Sequence, residues 1–144
     1  MSTKKSLMFG ILFGFAFMTG VALAGEWPTD SIVGLWLVPK GDAKVTISKC
    51  GAKYCGKITW MQNPEDLDVE NPDESKRTRK ILGLNILRGF VFDDGEWNGG
   101  KIYDPDTGNT YKCKMWMESK NKLNVKGYIG ISLFGRSEVW TRTK

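Results

Sequence analysis

Cys50 and Cys55, separated by Gly-Ala-Lys-Tyr, are the only closely spaced cysteines in the chain. Such a pair can serve as a disulfide, a redox couple or half of a metal site. The spacer is not the Cys-x-x-Cys of thioredoxin-like centres, and there is no second cysteine pair or histidine to complete a zinc site. A disulfide pinning a tight turn is therefore expected. Closing so short a loop contributes only about 2 kcal/mol in the chain-entropy picture. Cys113 is left over, on the same strand face as Tyr111, Met115 and Met117, where a buried free thiol is the simplest expectation.

The sequence contains no histidine, which removes the commonest general base and the commonest metal ligand together. Asp66, Asp68, Glu70 and Asp73 are spaced somewhat like a calcium loop. No glycine stands at the turn position, however, and the terminal bidentate Glu is misplaced. Asp104 and Asp106 flank Pro105, and local capping in a hairpin turn accounts for both. Serine and cysteine nucleophiles lack a histidine partner, and no glycine-rich loop precedes a helix to cradle phosphate. No catalytic residue, cofactor or metal is expected, and the chain reads as a non-enzyme.

The aromatic side chains carry more information. Trp27, Trp36, Trp60, Trp97, Trp116 and Trp140, with Phe90, Phe92 and Phe134, are many large groups for one small domain. Pointing inward they would fill a core; around a mouth they would bind an apolar or ring-bearing ligand, with Trp and Tyr polar atoms to orient it. Alternation sets Trp116 on the same face as Lys114, which directs it outward. The candidate ligand contacts are Trp60, Tyr103 and Tyr128, with Arg79 and Arg136 as handles for an anionic group.

The elements that must position these residues are strands, because period-two stretches recur after residue 24 while helical periodicity is almost absent. Strands are predicted over 32–38, 43–49, 56–61, 84–92, 100–103, 110–118, 123–129 and 137–142. Asp93-Asp94-Gly95, Asp104-Pro105-Asp106-Thr107-Gly108 and Ser119-Lys120-Asn121 supply turns. An all-β, eight-stranded up-and-down antiparallel barrel suits this pattern, since closure removes exposed edges. An immunoglobulin-like sandwich is the alternative, but its long-range disulfide has no counterpart here. The connection 62–82 is acidic first and basic later. In it, Asn71-Pro72-Asp73-Glu74 predicts a short helix with Asn71 as its cap. Loops this long are often lids or binding loops; the plainer reading is a solvated loop whose opposite charges pair locally.

Residues 1–24 have the three parts of a secretory signal peptide: Lys4 and Lys5, an apolar run from Leu7 to Leu23, and an Ala22-Leu23-Ala24 exit before Gly25. Residues 25–144 then form one domain, periplasmic or secreted, large enough for a single core. The net charge of +5 falls by two when Lys4 and Lys5 leave. Nucleic acid is not expected as a partner, because no basic block is interleaved with aromatics. The mildly basic surface is compatible with weak peripheral attraction to an anionic cell envelope.

Gly34-Leu35-Trp36 at the start of the first strand and Trp140-Thr141-Arg142 near the end resemble the closure of calycin barrels, the lipocalin and avidin superfamily. There the guanidinium of the last strand would lie on the first-strand indole; an ordinary core Trp and an unrelated terminal Arg are the alternative. A cation–π contact of this kind is worth roughly 0.5–2 kcal/mol. Further segments are Cys55-Gly56-Lys57-Ile58, Trp60, Asn71-Pro72, Arg79 with Leu82-Gly83-Leu84, Trp97 to Pro105, Gly108, Tyr111, Gly127 to Gly130 and Phe134-Gly135-Arg136. With them the chain resembles a bacterial family of exported proteins, domain of unknown function 2147, from Gly34 nearly to the end. The resemblance implies a calycin-like barrel and export, with Gly34, Trp36 and Arg142 as its closure, and brings no catalytic residues. The expected function is that of an exported barrel binding a small apolar or amphipathic ligand. The alternative is an envelope interaction module, an inhibitor or assembly factor, whose barrel is filled by side chains.

Overall fold

The computed structural model describes residues 27–144; the expected signal peptide and its cleavage position lie outside them. Eight strands follow one another around a closed antiparallel barrel: β1 (Gly34–Leu37), β2 (Ala43–Cys50), β3 (Lys53–Met61), β4 (Asn85–Asp93), β5 (Glu96–Asp104), β6 (Asn109–Ser119), β7 (Lys122–Tyr128) and β8 (Arg136–Arg142). Each strand pairs with its sequence neighbours, and β8 returns to β1. One end of the barrel carries the connections β1–β2, β3–β4, β5–β6 and β7–β8. The opposite end carries the tighter turns and the segment that precedes β1.

The β1–β8 seam has only two paired positions, Trp36 with Arg142 and Leu37 with Thr141. So short a ladder is weak by itself. Arg142 reinforces it: its guanidinium lies 4.3 Å from the Trp36 ring centroid. The same group donates to the carbonyls of Ser31 (2.6 Å), Val33 (3.1 Å) and Lys120 (2.9 Å). Gly34 makes room, since a Cβ there would stand 2.5 Å from the guanidinium, and its φ of +147° already favours glycine. β1 therefore starts two residues later than expected. Pro28 to Val33 form turns instead of strand, closing the base of the barrel with buried Ile32. The Trp36 and Trp97 indoles donate to the carbonyls of Ile32 (2.9 Å) and Thr29 (3.0 Å), so both tryptophans hold this plug.

The lower half of the interior is solid. Trp36, Tyr54, Phe90, Trp97, Met115, Met117 and Leu123 are all buried there. Their bulk is accommodated by glycines: a Cβ on Gly100 would enter the Phe90 ring, and one on Gly56 would press on Leu87 and Val45. β5 also begins four residues earlier than expected, because Trp97 pairs with Phe92 and Met115 before a bulge leads to Gly100. Cys113 is free and fully buried, and burial pushes its thiol up to about 12. Cys50 and Cys55 form a disulfide with Cα atoms 5.9 Å apart. Of the two, only Cys50 borders the turn, and Cys55 lies inside β3. The ladder continues to the Cys50–Lys53 pair, leaving Gly51 and Ala52 as the turn.

The connection 62–84 folds back on itself through a single bridge, Leu67 with Lys80. The expected helix is reduced to one 3-10 turn, Glu74–Lys76, capped by Asp73 and not by Asn71. Asn71 is committed elsewhere: its amide donates to the buried Asp68 carboxylate at 2.8 Å, and its Oδ1 accepts from the Asp73 N–H. Asp68 also accepts from Arg79 Nε (3.0 Å) and Tyr103 Oη (2.6 Å). Gly108 lets the loop dock on the β5–β6 turn, because at its φ of +78° a Cβ would overlap the Glu70 carbonyl. Burial pushes the Asp68 carboxyl up, but the bonds from Tyr103, Asn71 and Arg79 and the Arg79 charge outweigh it, and it titrates below its usual 3.8. Burial, followed by the Asp68 hydrogen bond and charge, pushes Tyr103 up to about 12.

Removing the Arg142 clamp leaves an unsupported seam and orphaned carbonyls. Arg142→Ala is expected to lower the unfolding free energy by about 2–4 kcal/mol, and Arg142→Lys to recover less than half of that. Urea unfolding of the three proteins checks this; equal stability would rule the clamp out. The loop anchor has its own pH window. Asp68, with a depressed folded pKa, supports docking above about pH 4 and loses that support as pH falls through its folded value. Tyr103, with a raised folded pKa, supports docking fully below pH 10 and loses it as pH rises toward about 12. The phenolate absorbance step missing from Tyr103→Phe should therefore lie near pH 12. A missing step near 10 would mean that the phenol is not bonded to Asp68 in solution.

Candidate functional site

Above the solid half, the inward residues become small: Ala43 and Val45 on β2, Ile58 on β3, Ile86 on β4, Ile102 on β5, Val125 and Gly127 on β7. They line a cavity of about 810 Å³ that reaches the end carrying the long loop. That volume lies within the roughly 300–1,000 Å³ of common small-molecule pockets. Trp140 forms part of its floor and is buried. The rim is built from Val38 to Lys40 of the β1–β2 turn, Asp104 to Thr107 of the β5–β6 turn, and Ile129, Gly135 and Arg136 around the β7–β8 connection.

Most of the polar groups sit toward the opening, while Glu138 lies deeper, opposite Val125. Glu138 and Arg136 alternate with outward residues on β8, line the cavity, and are nevertheless exposed, as expected of an interior open to water. Glu138 accepts from the Trp140 indole at 3.0 Å, which fixes the ring as a wall. Lys40 is tied to Asp106 at 2.9 Å across the rim. Asp42, Asp66 and Asp104 add further acid, so the mouth carries more carboxylates than cations. Among the described residues no three metal-ligating side chains converge.

Of the five residues expected to contact ligand, the structure brings together Tyr103, Tyr128 and Arg136, all of which line the cavity. Arg79 is elsewhere. It is held by Asp68 at 3.0 Å within the loop, so it serves the loop and not the cavity. Trp60 is on the outer wall, half-exposed, with Lys44 Nζ 5.4 Å from its ring centroid. The reason is a bulge: Val45 pairs with Ile58 but Lys44 pairs with Trp60, so Thr59 is an extra residue on β3. The bulge turns Trp60 out and brings Met61 in. Trp116 also lies outside, with Lys114 Nζ 5.5 Å from its ring centroid.

Several cavity residues escaped the sequence reading. Glu138 could have been found, since it alternates with Trp140 and Arg142 on β8. Val125 and Gly127 also share one face of β7. The importance of Asp68 had no such signal, because a carboxylate in an acidic loop is ordinarily solvated.

The fold has a solved counterpart. Protein HP1028 from the human pathogen Helicobacter pylori, described as belonging to the lipocalin family, superposes with a TM-score of 0.71 at 19% identity, covering 78% of this chain and 83% of that one. At this identity the likeness concerns the fold alone. No curated protein matches the sequence closely enough to count as a relative. The family profile DUF2147, described as an uncharacterized protein conserved in bacteria, matches residues 34–142, which span the barrel from the first glycine of β1 to the clamp arginine. The chain belongs to the DUF2147 family.

Proposed function

We propose that the protein is an exported binding protein that takes a small amphipathic molecule into the open half of its barrel. The observation that carries this reading is the about 810 Å³ cavity, with largely apolar walls below and most of its charged groups at the opening. An apolar ligand body gains free energy by leaving water against Val45, Ile58, Ile86 and Val125, at roughly 25 cal/mol per Å² buried. Its polar end would remain at the rim, near Arg136. Because carboxylates outnumber cations there, a polar end that donates hydrogen bonds or carries positive charge fits better than an anionic one. The lipocalin family to which HP1028 is assigned is consistent with an open barrel. The other reading, in which surface loops act on a filled barrel, calls for a solid interior. Here the solid part stops half-way.

Native mass spectrometry of the mature protein isolated from its own periplasm is the direct test, and small-molecule mass travelling with the protein is the expected result. The companion variant is Gly127→Leu. Gly127 lines the cavity, and a Cβ there would meet only Tyr111 and Ile102 at 3.5–3.6 Å, an ordinary contact distance. The added side chain fills the cavity without straining the strand. Ligand retention should fall by roughly tenfold or more while the unfolding midpoint stays close to that of the parent. Undiminished retention in Gly127→Leu, or no retained mass in the parent, would refute a cavity ligand.

A further inference from the structure

The connection from β7 to β8 exposes Ile129, Ile131 and Leu133, with 77%, 57% and 79% of their surfaces in water. Leu133 and Ile129 are the two most exposed large apolar residues of the described chain, and the three fall within five consecutive positions. Beside them runs an unusual row of charge on the outer face of the barrel. Arg88 on β4 stands directly opposite Lys101 on β5, which stands directly opposite Lys112 on β6. Like charges in register oppose one another and weaken a sheet. All three are exposed, and among the described residues none has an acidic partner within ion-pair distance. The row continues to the apolar connection: Lys112 pairs with Tyr128, and its ammonium reaches the Gly130 carbonyl at 3.4 Å.

We propose that this apolar connection and the cationic row beside it dock the barrel on an anionic phospholipid surface, with one lip of the cavity mouth against the bilayer. The chemistry of the two parts matches the layers of a membrane interface. Aliphatic side chains gain by entering the acyl boundary, while lysines at the headgroup level are attracted by phosphate. A soluble acidic partner would engage the cations but would have no use for three adjacent aliphatic residues. The row also explains why mutually repelling side chains occupy one register: the repulsion is relieved when anionic headgroups approach. Docking does not depend on what, if anything, the cavity holds. It would nevertheless place the mouth where an amphipathic molecule could pass between barrel and bilayer.

The test uses the mature protein with two sets of sedimenting vesicles, phosphatidylcholine alone and phosphatidylcholine mixed with phosphatidylglycerol. Binding to the mixed vesicles, weakened by added salt and absent on the neutral ones, is expected. Losing Lys101 and Lys112 together, in K101S/K112S, should weaken it roughly 30-fold, since each lysine near an anionic surface is worth about fivefold. The pair I131S/L133S should weaken it at least roughly tenfold. All four positions are exposed or partly exposed on the surface, so neither variant removes core packing. Equal sedimentation with both vesicle types, or with neither, overturns the proposal. So does a loss confined to one variant: the lysine pair alone would indicate a site for a soluble polyanion or acidic protein, and the loop pair alone would indicate nonspecific adhesion.

Discussion

The structure depends on Arg142. A closed barrel needs every strand paired on both sides, yet the last seam offers only two paired positions, less than any other seam can rely on. One guanidinium compensates by covering the Trp36 face and donating to three carbonyls from two different segments. A planar fork with several fixed donors suits this task, whereas an ammonium could satisfy only part of it. With the seam held, Pro28 to Val33 can fold across the base, and the tryptophans that anchor this plug become buried. The opposite end is then left as the way in.

What leaves the barrel half hollow is the uneven distribution of side-chain volume along its axis. An eight-stranded barrel has an interior that side chains can just fill. Here Trp36, Tyr54, Phe90, Trp97 and the methionines fill one half, helped by glycines where rings must cross. The other half is lined by valine, isoleucine, alanine and glycine, too small to meet in the middle. The 62–84 connection stands over this open half, and its shape comes from one buried carboxylate. Asp68 gathers Asn71, Arg79 and Tyr103, so an ionic centre inside the loop does the work that a hydrophobic core does elsewhere. Its neighbours compensate the cost of burial, a necessity for any buried charge.

Charge is also sorted by location. The rim of the cavity is rich in carboxylates, while the outer wall of β4 to β6 carries cations in register. Net charge alone conceals this separation. A mildly basic chain can present an acidic mouth and a basic flank because alternation sends neighbouring residues to opposite faces, and hairpin pairing then aligns residues distant in sequence into rows.

Local information was sufficient for the architecture. Period-two alternation, turn residues with positive φ and the paired end signatures around Trp36 and Arg142 specified an eight-stranded closed barrel, and the same alternation gave the outward direction of Trp116 and the burial of Cys113. These features follow from each residue's own preferences and those of its immediate neighbours. The candidate site was only partly legible. Arg136 faces the cavity and Tyr103 and Tyr128 border its mouth, but Trp60 is turned away by one extra residue on β3, and Arg79 is claimed by a carboxylate eleven positions earlier. A bulge and a buried ion pair are settled by which distant groups come into contact. Whether the interior would be full or hollow was likewise beyond the sequence, since it depends on how the volumes of eight strands sum at each level of the barrel, and that sum exists only once the strands have been placed side by side.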